Sequence, residues 1–317
     1  MVNADVRALP PLVMCFSATD PTGGAGMQAD LMTLSALGCH ALTVVTAVTV
    51  QDSAGVEEVV PMDDDLLVDQ ARVLLADMPV AAFKIGVMGS IENIAAIAEI
   101  ISDYPDVPVV LDPVLSSGRG DELADEDMVI ALQELLLPLT TVLTPNSLEA
   151  RRLAQPDDDD DDDGGDFADE DDLDDDDDAV EDDHRGVATP SLDQCARQLI
   201  AAGCGHVLLT GTHESTARVA NVLYGPNGVI RRDEWDRLPG SYHGSGCTLA
   251  SAVAAWLAHG LDIGEAVHAA QEYTWRTLES GFRPGMGQHL PDRFFFLRER
   301  HAAAAGGAAD EDDGDDA

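Results

Sequence analysis

The chain has 317 residues, 45% of them apolar, and sets 60 acidic side chains against 17 basic ones for a formal net charge of −43. That balance excludes nucleic-acid recognition through a basic surface, and no apolar run is long enough to span a membrane. Five cysteines at positions 15, 39, 195, 204 and 247, with no CxxC pair, argue against a disulfide framework or zinc site and suit a reducing cytoplasm.

The charge is unevenly placed. Twenty acidic residues lie in 157–183, which has no basic residue, and six more in 310–316, leaving −17 for the rest. Like charges with few apolar residues cannot pack, so 156–188 is expected to be a disordered insertion and 302–317 a disordered tail. Residues 1–11 read as a flexible start without the pattern of a secretory signal. Residues 12–301 form the expected domain, apart from the insertion.

Within it, strand-like and helix-like segments alternate. A strand over 12–18 leads through a glycine loop, 19–26, into a helix ending near 37. A second buried strand is expected over 41–50, a short β segment over 56–60 and a helix over 64–77. Strand 82–85, helix 91–101, strand 107–111, helix 125–135, strand 141–143 and helix 147–153 follow. Beyond the insertion come helix 192–202, strand 206–209 and a hairpin of 219–224 with 229–233 around Gly225-Pro-Asn-Gly228. Helices over 247–259 and 263–280 complete the domain. The alternation predicts an α/β fold, a mostly parallel sheet covered by helices, with its ligand site at the carboxyl ends of the strands.

Chemistry-bearing residues fall at those ends. The second glycine-rich turn, Gly244-Ser245-Gly246, runs into an apolar helix whose first N–H groups suit phosphate oxygens. Cys247 stands at that first turn as a candidate base, its pKa expected to fall beside the helix N-terminus. In the first turn Asp20 and Asp30 add acceptors and the glycines allow close approach of a ligand. Gln51 offers an acceptor and two donors, which suits an aminopyrimidine edge. Asp112, Asn146 and Glu149 supply oxygens for a magnesium ion carried on phosphates, although Asn146 and Glu149 also have the spacing of a helix capping box. Lys84 is the only lysine beside 16 arginines, which either a need for an ammonium there or drift explains.

Taken together, Asp20-Pro-Thr-Gly-Gly-Ala-Gly-Met-Gln-Ala-Asp30, Val44-Val-Thr-Ala-Val-Thr-Val-Gln51, Lys84-Ile-Gly86, Leu111-Asp-Pro-Val114, Leu143-Thr-Pro-Asn-Ser-Leu-Glu-Ala150 and His243-Gly-Ser-Gly-Cys-Thr-Leu249 resemble a known family. It is that of the hydroxymethylpyrimidine/phosphomethylpyrimidine kinases of thiamine biosynthesis, within the ribokinase-like superfamily. The resemblance covers about residues 12 to 282 apart from the insertion. It implies a three-layer α/β/α sandwich that phosphorylates 4-amino-5-hydroxymethyl-2-methylpyrimidine, and then its monophosphate, from ATP with Mg2+. The resemblance places Cys247 at the catalytic position, with Gly244, Ser245 and Gly246 as an anion hole. The expected substrate-binding residues are Gln51, Asp20, Gly24, Asp30, Lys84 and Met88. Asn146, Thr210, Gly211 and His213 are expected on the nucleotide, and Asp112 and Glu149 on the metal.

The sequence departs from the family pattern twice: Ser245 replaces a usual threonine, and Leu209-Thr-Gly-Thr-His213 replaces Lys-Gly-Gly-His, so Thr210 brings no positive charge. The alternatives are a pyridoxal or pyridoxine kinase on the same scaffold, or a pyrimidine-binding protein without turnover. Small molecules are the expected partners, with homodimerisation left open.

Overall fold

The computed structural model describes residues 9–116, 120–121, 123–154, 190–298 and 300. The expected insertion at 156–188 and tail at 302–317 lie outside the described residues.

The main sheet has eight strands: β1 (Leu12–Ser17), β2 (His40–Val45), β5 (Ala82–Ile85), β6 (Val109–Leu111), β7 (Val142–Leu143), β8 (Val207–Leu209), β9 (Arg218–Gly225) and β10 (Gly228–Asp236). Their order is β10-β9-β8-β7-β6-β5-β1-β2. Pairing is parallel from β2 to β8, and antiparallel for β8–β9 and β9–β10. The helices are α1 (Gly26–Ala36), α2 (Asp64–Asp77), α3 (Ile91–Ser102), α4 (Glu126–Ala131), α5 (Ser147–Leu153), α6 (Leu192–Ala201), α7 (Ser245–Ala258) and α8 (Ile263–Glu279).

Strand periodicity builds two cores. In β1, Met14 and Phe16 face the α2–α6 layer, with Leu67, Ile94, Ile97 and Leu199. Val13 and Cys15 face the other way, against Met27, Leu34, Val253 and Val267 of α1, α7 and α8. Side chains alternating across each strand, both sets buried, require a helical layer on each face. This is the expected three-layer sandwich.

Two elements differ from expectation. The single strand expected over 41–50 breaks at Thr46. Its N–H donates to Ser17 O (3.1 Å) and its hydroxyl to Val87 O (2.5 Å), while its carbonyl accepts from Met62 N (2.8 Å) and Asn93 Nδ2 (3.0 Å). With its polar groups committed to four other segments, Thr46 ends β2. The chain leaves the sheet as β3 (Ala47–Gln51), paired antiparallel with β4 (Val56–Pro61) in a separate two-stranded flap. The helix expected over 125–135 is α-helical only to Ala131. It loosens into a π turn, Leu132–Leu136, and a 3-10 turn, Leu137–Leu139, containing Pro138, which has no N–H for a continuing helix.

The flap is fastened to the C-terminal loop. Gln288 N donates to Ser53 O (2.8 Å) and Gly287 N to Ser53 Oγ (3.1 Å), and a Cβ on Gly287 would lie 1.8 Å from Ser53 O. Gly287→Ala is therefore expected to free the flap. Hydrogen exchange should quicken across β3 and β4 while the β1 and β5 amides keep their protection; unchanged flap exchange would show that the latch carries no strain.

Candidate functional site

The carboxyl ends of the parallel strands open into a cavity of about 500 Å3. Its floor is the start of α7. Gly244 is the N-cap, with φ 77°, and the first intrahelical bond is Thr248 N to Gly244 O (3.0 Å). The N–H groups of Ser245, Gly246 and Cys247 precede that bond, and all three residues line the cavity. A helix start of this form favours an anion. Only glycine fits at 244, where a Cβ would meet Gly24 O at 1.9 Å.

The two glycine turns are thus in backbone contact. Asp20 ties them further: its carboxylate accepts from Thr22 N (2.8 Å), Thr22 Oγ1 (2.9 Å) and Ala25 N (2.6 Å), and pairs with His243 Nε2 (2.9 Å). Burial pushes its pKa up, but the bonds from His243, Ala25 and Thr22 outweigh burial and hold it below the usual carboxylate value.

The expected site residues fall into two groups. Gln51, Asp112, Asn146, Glu149, Thr210, His213 and Gly244 to Cys247 share the cavity wall. Asp20, Gly24, Asp30, Lys84, Met88 and Gly211 lie behind it. Lys84 and Asp30 are fully buried, and the Lys84 ammonium meets the two Asp30 oxygens at 2.9 and 3.0 Å. Asp30 also accepts from Ser17 Oγ (2.5 Å) and Ser251 Oγ (2.6 Å). Its acceptors and the ammonium are therefore occupied within the protein, and neither side chain reaches the cavity. Burial opposes the Lys84 charge, yet Asp30, Cys247 and Asp112 hold its pKa above the ordinary lysine value. Met88 packs in the α2–α6 core, and Val87 takes the wall position. Gly24 and Gly211 serve close packing: a Cβ would sit 2.4 Å from His243 Cδ2 in one case and 2.3 Å from Ala220 O in the other.

Gln51 belongs to the flap rather than to a strand of the main sheet. Its Nε2 donates to Thr49 Oγ1 (2.7 Å), which donates to Thr19 O (2.7 Å), so the carboxamide is oriented. Asn146 caps α5 through Leu148 N (2.9 Å) and Glu149 N (3.0 Å), and Glu149 Oε2 accepts from Asn146 N (2.9 Å). The capping box is present, and both its members also border the cavity.

Asp112, Glu149 and Cys247 all border the cavity. Burial raises Asp112 to about 6 despite the pull of Lys84. Burial and the Asp112 charge raise Glu149 to about 8. Asp112 Oδ2 is buried without a hydrogen-bond partner. Two repelling carboxylates, one with an orphaned oxygen, suit a cation. Among the described residues no three His, Cys, Asp or Glu side chains gather as a ligand cluster. Magnesium needs few protein oxygens, because phosphates and water fill its other positions.

Cys247 differs from expectation. Burial pushes its thiol up to about 12; Lys84 draws it back only in part, and Asp112 and Asp30 add to the rise. The helix N-terminus does not prevail, because the thiol is enclosed beside negative charge. In the free protein Cys247 is protonated.

Sequence reading missed several wall residues. Trp235 donates from Nε1 to Gln271 Oε1 (3.0 Å) and stacks near Trp275. Arg237, the only Lys or Arg of the wall among the described residues, donates to the carbonyls of Thr212, Thr216 and Glu214. These lie on or after an ordinary-looking hairpin and carry no local signal. Thr49 was detectable, two residues from Gln51 on the same strand face.

The phosphomethylpyrimidine kinase family profile matches residues 20–170 and 183–292. The hydroxymethylpyrimidine/phosphomethylpyrimidine kinase of Streptomyces coelicolor is 34% identical over 88% of this chain and 92% of its own length. That of Rhizobium meliloti is 32% identical over 87% and 94%. Among solved structures, Bacillus subtilis pyridoxal kinase in complex with ADP superimposes with a TM-score of 0.74 at 26% identity, covering 90% of this chain and 97% of the other. Phosphomethylpyrimidine kinase from Clostridium difficile 630 gives 0.63 at 28% identity over 84% and 97%.

Proposed function

The chain belongs to the phosphomethylpyrimidine kinase family, and from that premise we propose that the cavity transfers the γ-phosphoryl group of ATP to the hydroxymethyl group of 4-amino-5-hydroxymethyl-2-methylpyrimidine and then to its monophosphate. The carrying observation is the convergence of the Gly244–Cys247 helix start, Asp112, Glu149 and the oriented Gln51 carboxamide on one cavity.

Gln51 orients the pyrimidine, with its Nε2 fixed on Thr49 and its Oε1 left to accept from the ring amine. The flap carrying Gln51 closes the site from water. The N–H groups of Ser245, Gly246 and Cys247 hold the transferring group, whose charge spreads over its oxygens in a loose transition state. Thr210, His213 and the loop clamped by Arg237 flank the nucleotide side. Asp112 and Glu149 would hold magnesium, which would supply charge neutralisation to the phosphates. Lys84 favours the thiolate of Cys247 against burial and the neighbouring carboxylates; once the thiol has given its own proton to solvent, Sγ takes the proton of the substrate hydroxyl. Five buried, unpaired thiols fit a reducing compartment, the cytoplasm. Among the described residues no helix is long and apolar enough to cross a membrane.

Cys247→Ala is expected to lower kcat by about 10²–10⁴-fold, the range for a general base, while KM for the pyrimidine stays near the parent value. Steady-state kinetics decide it, and a kcat within threefold of the parent removes Cys247 from the proton path.

Mass detection of products from Mg-ATP and the pyrimidine tests the function. Mono- and diphosphate together support both steps; monophosphate alone restricts the enzyme to the first, with Thr210 the first residue to examine. The structural likeness to pyridoxal kinases makes pyridoxal the competing substrate. A higher kcat/KM for pyridoxal would overturn the pyrimidine assignment.

A further inference from the structure

Arg293 lies beyond α8 in the C-terminal segment and is 2% exposed. Its guanidinium joins the two glycine turns. Nε donates to Thr248 Oγ1 (3.1 Å), Nη1 to Gly23 O (3.3 Å) and Nη2 to Gly24 O. The Thr248 hydroxyl passes the connection on, donating to Gly244 O (2.8 Å). One side chain therefore holds both the carbonyls of the first turn and the N-cap of α7. The Arg293 main chain is itself fixed, its carbonyl accepting from Tyr273 OH (2.9 Å).

The charge on this group is unusual. Among the described residues no carboxylate forms an ion pair with it: Asp20 is taken by His243, Asp30 by Lys84 and the adjacent Asp292 by Arg298 (2.9 Å). A buried ion without a counterion is costly, and neutral carbonyl and hydroxyl acceptors offset that cost only in part. Carbonyl anchoring alone could be done by a neutral amide. A permanent cation behind a helix start has a further effect, because it adds to the positive potential that the helix dipole presents to an anion on the other side.

We propose that Arg293 is a positioning residue for phosphoryl transfer, locking the Gly23–Gly24 turn to the Gly244 N-cap and placing a positive charge that no carboxylate touches behind the anion hole. It does not border the cavity and touches no reacting atom. The proposal rests on the kinase reading for its rate effect but not for its effect on anion binding.

Three variants separate charge from anchoring. Arg293→Gln keeps donors and loses charge, Arg293→Lys keeps charge and loses the planar fork, and Arg293→Met loses both. With melting temperature as the folding control, kcat is expected to fall about 100-fold in Arg293→Met and Arg293→Gln, as for loss of one anion-hole donor. Arg293→Lys should recover at least tenfold over Arg293→Gln. Calorimetric affinity should fall about tenfold for ADP, with adenosine unchanged, in the uncharged variants. Equal kcat and ADP affinity in Arg293→Lys and Arg293→Gln, or losses that track melting temperature alone, would overturn the proposal. If Arg293→Met does not fold, the Lys and Gln variants decide it. A parent protein without turnover would sink the kinase reading, and the ADP and adenosine titrations would still decide the role of Arg293.

Discussion

Lys84→Met is expected to destabilise the fold by about 3–5 kcal/mol, the cost of removing one partner of a buried ion pair. Asp30 would be left fully buried, with the hydroxyls of Ser17 and Ser251 as its remaining side-chain donors. Two hydroxyl bonds do not replace an ammonium touching both oxygens. For a domain of this size the loss corresponds to a fall of roughly 10 °C in melting temperature. The double variant Lys84→Met, Asp30→Leu should recover most of it, because an apolar pair of similar volume carries no uncompensated charge. Its activity should stay low: Asp30 joins α1 to Ser251 of α7, and the Lys84 ammonium is the charge that draws the Cys247 thiol toward ionisation. Urea unfolding and kcat on both variants test this. A single variant within 1 kcal/mol of the parent, by the linear extrapolation used for such curves, would mean that Asp30 is stabilised by other groups.

The outcome at Lys84 shows what could be read from the sequence and what could not. A single lysine among 16 arginines marks position 84 in the sequence, but composition says nothing about direction. Position 84 is central in a strand buried on both faces, so its ammonium had to find a carboxylate inside, and Asp30 is one helix away. The layer order was legible because burial on both sides of β1 and β6 writes apolar runs, and the glycine turns mark where strands hand over to helices. The break at Thr46 was not legible. Val44 to Val50 alternate no differently before and after it, and only the partners of the Thr46 backbone, distant in sequence, end the strand. The Cys247 thiol was misjudged for a related reason: the helix start is local and visible in sequence, whereas enclosure beside Asp112 and Asp30 is tertiary. Arg293 left no trace, since the two turns it joins lie about 270 and 45 residues away.

Gly244→Ala and Gly246→Ala should separate folding from catalysis within one turn. At 244 the backbone is left-handed, with φ 77°, and a Cβ would lie 1.9 Å from Gly24 O and 2.8 Å from Ala25 Cα. The left-handed region alone costs an alanine roughly 1–2 kcal/mol, and the clash is with backbone, which cannot rotate away. The two turns must separate, breaking the contact that aligns the helix start with Asp20 and His243. Gly244→Ala should therefore lose both melting temperature and nearly all turnover. Gly246 is within α7, and its Cβ would stand 3.6 Å from Asp112 Oδ1, an ordinary contact. There alanine fits the helix and limits the unfolded chain, so stability should hold or rise by about 0.4–1 kcal/mol. Its methyl, however, would occupy the space between the helix start and Asp112, where the proposed mechanism puts the transferring group. Turnover should fall at least about 100-fold, as when an anion-hole donor is lost, in a protein as stable as the parent. If Gly246→Ala were stable and fully active, the N-terminus of α7 would not be where the phosphoryl group is held.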